Sequence, residues 1–199
     1  MEKIMEEVDS WFMAQMMSNE DNQREEVRTR GRKKDWKLPP YPWLKCNSAV
    51  KWDSTTKTAG GAWVLRDYEG VVLLHSRRSF GAICSLEDAR LVCLSWTLES
   101  LVAHKVNRVF LAAESAELLK MLIRPKAWPS FKAHFLELRQ FLVRIVEWRI
   151  EIVSRSENRG AFLIAQSALK ESFCQSYVAC SHPDWLHDLF VSEKRLASA

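Results

Sequence analysis

Cys180, His182 and His187, together with Asp184 or Asp188, carry the donor atoms that a zinc ion takes. Their spacing fits none of the paired zinc-ligand patterns, so no zinc site is expected there. No serine or cysteine nucleophile stands beside a histidine partner. No glycine-rich phosphate loop follows a strand either, because Gly60-Gly61 comes before one. Asp53 opens Asp-Ser-Thr-Thr, which is turn chemistry, although a regular strand would put it on the same face as Ala49. Basic groups are more plentiful. Arg28 to Lys34 reads RTRGRKK, five basic residues in seven, and Arg77, Arg78, Arg124, Lys126, Arg155 and Arg159, with Asn158 among them, follow downstream. These could contact the phosphates of a nucleic acid, or they could be solvated charges and a solvated linker.

The rest of the composition bounds what these groups can belong to. A chain of 199 residues with 47% apolar side chains is enough for one domain with a core and room for a tail, and its net charge of +4 permits nucleic-acid binding without demanding it. The five cysteines are odd in number, scattered and free of Cys-x-x-Cys pairs. Reduced thiols in an intracellular compartment, nucleus or cytoplasm, are expected. No apolar run approaches the ~20 residues that cross a bilayer, and no basic-then-apolar leader pattern opens the chain.

Positioning falls to the elements in order. Residues 1–35 read as an N-terminal extension, with Ile4, Met5, Val8, Trp11, Phe12 and Met16 at helical spacing followed by the basic linker, and the prolines Pro39, Pro40 and Pro42 lead into a domain over 36–170. Leu44 to Trp52 predicts a first strand and Lys57 to Gly61 a turn. Ala62 to Arg66 predicts a second strand, Asp67-Tyr68-Glu69-Gly70 a tight turn and Val71 to Ser79 a third strand paired beside it. Ser85 to His104 predicts a helix buried on more than one side, capped by Ser85. Arg108 to Ala113 is a buried strand, Ala116 to Ile123 a short helix, Pro129 to Val146 an amphipathic helix and Trp148 to Ser154 a half-buried strand. A strand, a crossover and a parallel strand place function at the strands' C-terminal ends. Residues 171–199 form a tail, apolar enough at Tyr177, Trp185, Leu186, Leu189 and Phe190 to dock back on the domain.

Several of these stretches together resemble the type 1 RNase H-like domain, specifically the plant, retroelement-derived branch of the reverse-transcriptase-like family. The resemblance is carried by Trp43-Leu44-Lys45-Cys46-Asn47, by Gly61-Ala62-Trp63-Val64-Leu65-Arg66-Asp67 with Gly70, by Trp96 in the first long helix, and by Arg155, Asn158, Ala161, Ile164 and Ala165 near the end. It implies an α/β fold, with a five-stranded mixed sheet whose first three strands are antiparallel and helices on both faces. It also implies a hybrid ribonuclease whose four carboxylates hold catalytic metal ions. Here the four matching positions are Ala49, Arg90, Glu114 and Phe162. Relative to an intact site, the formal side-chain charge goes from about −4 to about 0, which removes the electrostatic reason for a dication to enter. The expected site is closed and metal-free, with Arg90 and Glu114 available to pair and Phe162 filling volume.

The reading is therefore an RNase H-like domain without catalysis, acting as a nucleic-acid-binding or scaffold module toward RNA, DNA or their hybrid, with no cofactor. The alternative is a metal-dependent RNA-DNA hybrid ribonuclease using Mg2+ or Mn2+. A second alternative is a protein-interaction adaptor that uses the N-terminal helix. No membrane partner is expected.

Overall fold

The computed structural model describes residues 35–118, 132–170 and 175–198. The N-terminal helix and basic linker expected over 1–34, and the candidates Arg124 and Lys126, lie outside the described residues. Three strands open the domain: β1 (Leu44–Asp53), β2 (Thr58–Arg66) and β3 (Val72–Phe80). Then come α1 (Leu86–Ala103), β4 (Arg108–Ala113), α2 (Lys132–Leu142), β5 (Glu147–Ile152) and α3 (Arg159–Lys170). The chain closes with β6 (Tyr177–Cys180), a short 3-10 turn (Asp184–Leu186) and α4 (His187–Ala197).

The sheet order is β5-β4-β1-β2-β3-β6. β1, β2 and β3 pair antiparallel, whereas β4 runs parallel to both β1 and β5. The five strands expected from the sequence are thus six. The sixth comes from the tail, pairing antiparallel with β3 so that Leu74 faces Cys180 and Arg77 faces Tyr177. Four residues without clean alternation give no strand signal, and their partner lies a hundred residues away.

Two apolar layers sandwich the sheet. On one face Cys46, Trp63, Leu65, Val109, Leu111 and Ile150 meet Leu91, Leu94, Leu98 and Leu101 of α1 and Leu138 and Leu142 of α2. On the other, Ala49, Ala62, Val64 and Val72 meet Ala161, Ile164 and Ala165 of α3 and Leu186 and Phe190 of the tail. α1 starts where Ser85 Oγ accepts the Asp88 amide at 3.0 Å, with Glu87 and Asp88 complementing the positive helix end. Its buried side chains run round most of the helix, because one side covers the sheet and another packs on α2. α2 ends at Leu142, four residues before the expected Val146, where the Arg144 and Ile145 amides turn back to Phe141 and Leu142 in a tightened last turn.

One turn expectation fails for an instructive reason. The first hairpin turns at Ser54–Lys57, with Lys57 at φ 54, and Gly60-Gly61 lie inside β2. A Cβ at Gly60 would stand 2.1 Å from the Ala165 carbonyl and 2.7 Å from the Leu169 amide. Glycine is there to let α3 lie directly on the strand, not to turn the chain. The second turn is as expected: Asp67 Oδ1 accepts the Glu69 and Val71 amides at 2.9 and 2.8 Å, and Gly70 takes φ +79. Among the described residues no helix is long and apolar enough to cross a membrane.

Candidate functional site

Parallel strands β1 and β4 open a crevice at their C-terminal ends, where a crossover fold offers a site. A pocket of about 50 Å³ lies there. Ser48, Ala49 and Val50 of β1 form one wall, Leu86, Arg90, Cys93 and Leu94 of α1 another, and Ala113 to Ser115, Leu118 and Arg155 the rest. Helical spacing explains the α1 wall, since positions i, i+4, i+7 and i+8 share a face. Three of the four positions singled out by the resemblance, Ala49, Arg90 and Glu114, therefore meet in one pocket. Phe162 stands beside it, beneath the Arg155 guanidinium, whose centre is 3.6 Å from the ring centroid.

The carboxylate is held on both oxygens. Glu114 Oε2 accepts Arg155 Nε at 2.5 Å and Oε1 accepts Asn158 Nδ2 at 3.0 Å. Its expected partner, Arg90, instead reaches Glu87 one helical turn back, at 3.5 Å. The loop after β5 delivers Arg155 to the same end of the sheet as Glu114, while Arg90 has an acid on its own helix.

Behind Glu114 runs a buried amide relay that joins four segments. Asn158 Nδ2 also donates to the Ser48 carbonyl at 2.8 Å, and its Oδ1 accepts Asn47 Nδ2 at 3.1 Å. Asn47 Oδ1 in turn accepts Trp36 Nε1 at 2.8 Å. Asn158 is only 1% exposed, and this relay engages both of its polar atoms, so it serves the frame instead of a surface. The sequence marked Asn47 as a framework residue of the resemblance, but neither it nor Trp36 as a partner in this relay. An asparagine between the buried positions Cys46 and Ala49 of β1 was the available signal, because a buried amide needs partners.

The pocket's remaining donors are poor for a dication. Burial pushes the Cys93 thiol up to about 12, against opposing hydrogen bonds from Thr97 and Ala62, so it stays protonated. Cys46, on the same side of the sheet, is raised by burial and by the proximity of Cys93. Asp53 is absent from the lining. It accepts the Thr55 and Thr56 amides at 2.8 and 3.4 Å as a turn residue, and the Thr55 amide is the leading reason its pKa is lowered. Among the described residues no three His, Cys, Asp or Glu side chains cluster to hold a metal ion. Paired Mg2+ or Mn2+ ions take several hard oxygen ligands, and one carboxylate already bonded to an arginine and an amide does not fit them.

The other sequence candidates are dispersed. Arg77 and Arg78 are successive strand residues, so they face opposite sides. Arg77 donates to Ser167 Oγ of α3 at 2.6 Å, and Arg78 stacks over Phe80 and Trp96 on the α1 side. Arg159 is exposed at the start of α3 and Arg155 is half-exposed at the pocket mouth. Around the considered zinc residues, the His182 and His187 rings lie 5.1 Å apart, and His182 stacks flat on Phe190.

Comparison with known proteins agrees with this architecture. Residues 47–168 match the family model described as reverse transcriptase-like. RNase H1 from the halophilic archaeon Halobacterium salinarum NRC-1 superposes with a TM-score of 0.58 at 21% identity, over 65% of this chain and 98% of that one. The N-terminal RNase H domain of rv2228c from Mycobacterium tuberculosis gives 0.57 at 16%, over 65% and 95%. LC11-RNase H1, solved in complex with an RNA/DNA hybrid, gives 0.56 at 17%, over 65% and 98%. No curated protein matches the chain. With a family match over most of the domain and RNase H structures sharing its sheet and helices, the chain belongs to the reverse transcriptase-like family and has the RNase H-like α/β fold.

Proposed function

We propose that this domain is a catalytically silent RNase H-like module that binds nucleic acid without cutting it. One observation carries the reading: among the described residues Glu114 is the only carboxylate lining the pocket, and both its oxygens are already bonded, to Arg155 and to Asn158. Two-metal hydrolysis asks for several acids around cations about 4 Å apart. Ala49 and Arg90 line the pocket where the resemblance puts two of those acids. The arrangement offers a methyl and a cation there.

Support for a nucleic-acid partner is more general. LC11-RNase H1, which shares the fold, binds an RNA/DNA hybrid. The chain is mildly basic, with a sequence pI near 8.8, and Arg155 is exposed at the pocket while Arg159 is exposed at the start of α3. The test has two arms on the full chain. Labelled hybrid incubated with Mg2+ or Mn2+ should stay intact. The same hybrid should bind with an affinity that falls as salt rises, by about 0.9 log units per log salt for each phosphate contacted. Metal-dependent cleavage abolished by Glu114→Gln would reinstate a nuclease, and salt-insensitive or absent binding would leave a protein scaffold.

A further inference from the structure

We propose that the pocket between β1, α1 and the end of β4 is an anion site that takes a phosphate group through Arg90 and Arg155, with no divalent cation. This deepens the reading above and rests on its premise that paired metal ions do not enter here. Among the described residues the lining presents two guanidinium groups against one carboxylate, and Glu87 stands beside Arg90 outside it, so no excess of negative charge is left to draw a cation. The Glu114 carboxylate is itself quenched, because Arg155 and an amide donate to its two oxygens.

The donors are placed for such a ligand. Among the described residues Arg155 uses only Nε, toward Glu114, which leaves both Nη atoms of a side chain 53% exposed. Stacking on Phe162 fixes the guanidinium plane, so little side-chain freedom remains to be lost on binding. Among the described residues Arg90 is tied only by a 3.5 Å contact to Glu87, long for a hydrogen bond and readily exchanged for a better acceptor. Ser48 and Ser115 add hydroxyls to the lining. The Ser115 oxygen accepts the Leu118 amide at 3.2 Å, which leaves its O–H to donate. The space of about 50 Å³ takes roughly three or four water-sized atoms, the number of oxygens on one phosphate. Guanidinium groups recognise that shape by paired N–H donors.

The experiment titrates the full chain, in chelator, with inorganic phosphate, with a dinucleoside phosphodiester and with a short RNA-DNA hybrid. Amide shifts of pocket residues are followed by NMR. Saturable binding is expected without metal, weakened about tenfold or more in both Arg90→Gln and Arg155→Gln, each checked for an unchanged unfolding midpoint. Tighter binding of the diester would support a nucleic-acid backbone as the source, and tighter binding of inorganic phosphate would support a free anion. Hybrid held at wild-type affinity by both variants would overturn the anion site while leaving nucleic-acid binding intact. Phosphate held at the pocket with no hybrid bound would support the site and overturn the nucleic-acid reading. Binding of any probe only when Mg2+ is added would overturn the site outright.

Discussion

Two arginines in this domain keep the same company and serve opposite ends. Arg66, at the end of β2, lies between the rings of Trp36 and Phe190, 4.1 and 4.5 Å from their centroids, and bonds Glu193 of α4 at 2.6 Å. Arg155 lies on Phe162 and bonds Glu114 at 2.5 Å. The first side chain is 1% exposed and the second 53%. Burial makes the first pair a structural joint that fastens the tail to the sheet. Its Nε and Nη1 find no hydrogen-bond partner among the described residues, so the two ring faces stand in for lost water. Exposure makes the second pair a weak, exchangeable contact at the pocket. Identical chemistry becomes architecture or a binding surface according to solvent access.

Breaking the buried pair should therefore cost most. Glu193→Ala leaves Arg66 as an uncompensated charge, and urea unfolding is expected to show a loss of about 3–5 kcal/mol. A loss under about 1 kcal/mol would mean that the tail is not fastened this way. Next comes the relay that serves the pocket. Asn158→Ala strips partners from Asn47, the Ser48 carbonyl and Glu114, and a loss of about 1–3 kcal/mol is expected by the same measurement.

The exposed pair should barely register. Glu114→Gln is expected to shift stability by about 0–1 kcal/mol, because a pair with so much water around one partner is screened. A cost near that of Glu193→Ala would erase the contrast. The slightest effect is acid-dependent and belongs to the tail side. His75 Nδ1 donates to the Ser181 carbonyl at 2.6 Å, yet burial draws its pKa below the ordinary 6.5, with Arg77 and His182 adding to the shift. Below pH 6.5 the unfolded imidazole takes a proton that the folded one resists, so stability falls as the solution is acidified from there to the folded pKa. Unfolding midpoints at pH 7.5 and 5.5 should differ in the wild type, and the difference should shrink in His75→Gln.

The frame of this fold was legible where local chemistry and tertiary demand agreed. Asp67 and Gly70 make a turn by their own geometry, and Arg108 to Ala113 has no other way to be buried. Legibility failed where distance in the chain decided. Gly60 carries the look of a turn residue, but the backbone of α3, a hundred positions away, requires it. β6 exists because β3 offers an edge, not because Tyr177 to Cys180 demand a strand. At the site, the sequence could say which side chains stood at the matching positions. It could not say that Glu114 would choose Arg155 over Arg90, since that depends on where the loop after β5 ends. That Arg77 and Arg78 part to opposite faces was legible from strand alternation, but which helix each would meet was not.

A pocket without the donors for paired divalent cations should take up no Mn2+, and electron paramagnetic resonance follows that uptake. Titration of the full chain should leave the free-ion signal undiminished through the millimolar range, with the unfolding midpoint unchanged. Saturable uptake of two ions per chain, abolished by Glu114→Gln, would contradict the account.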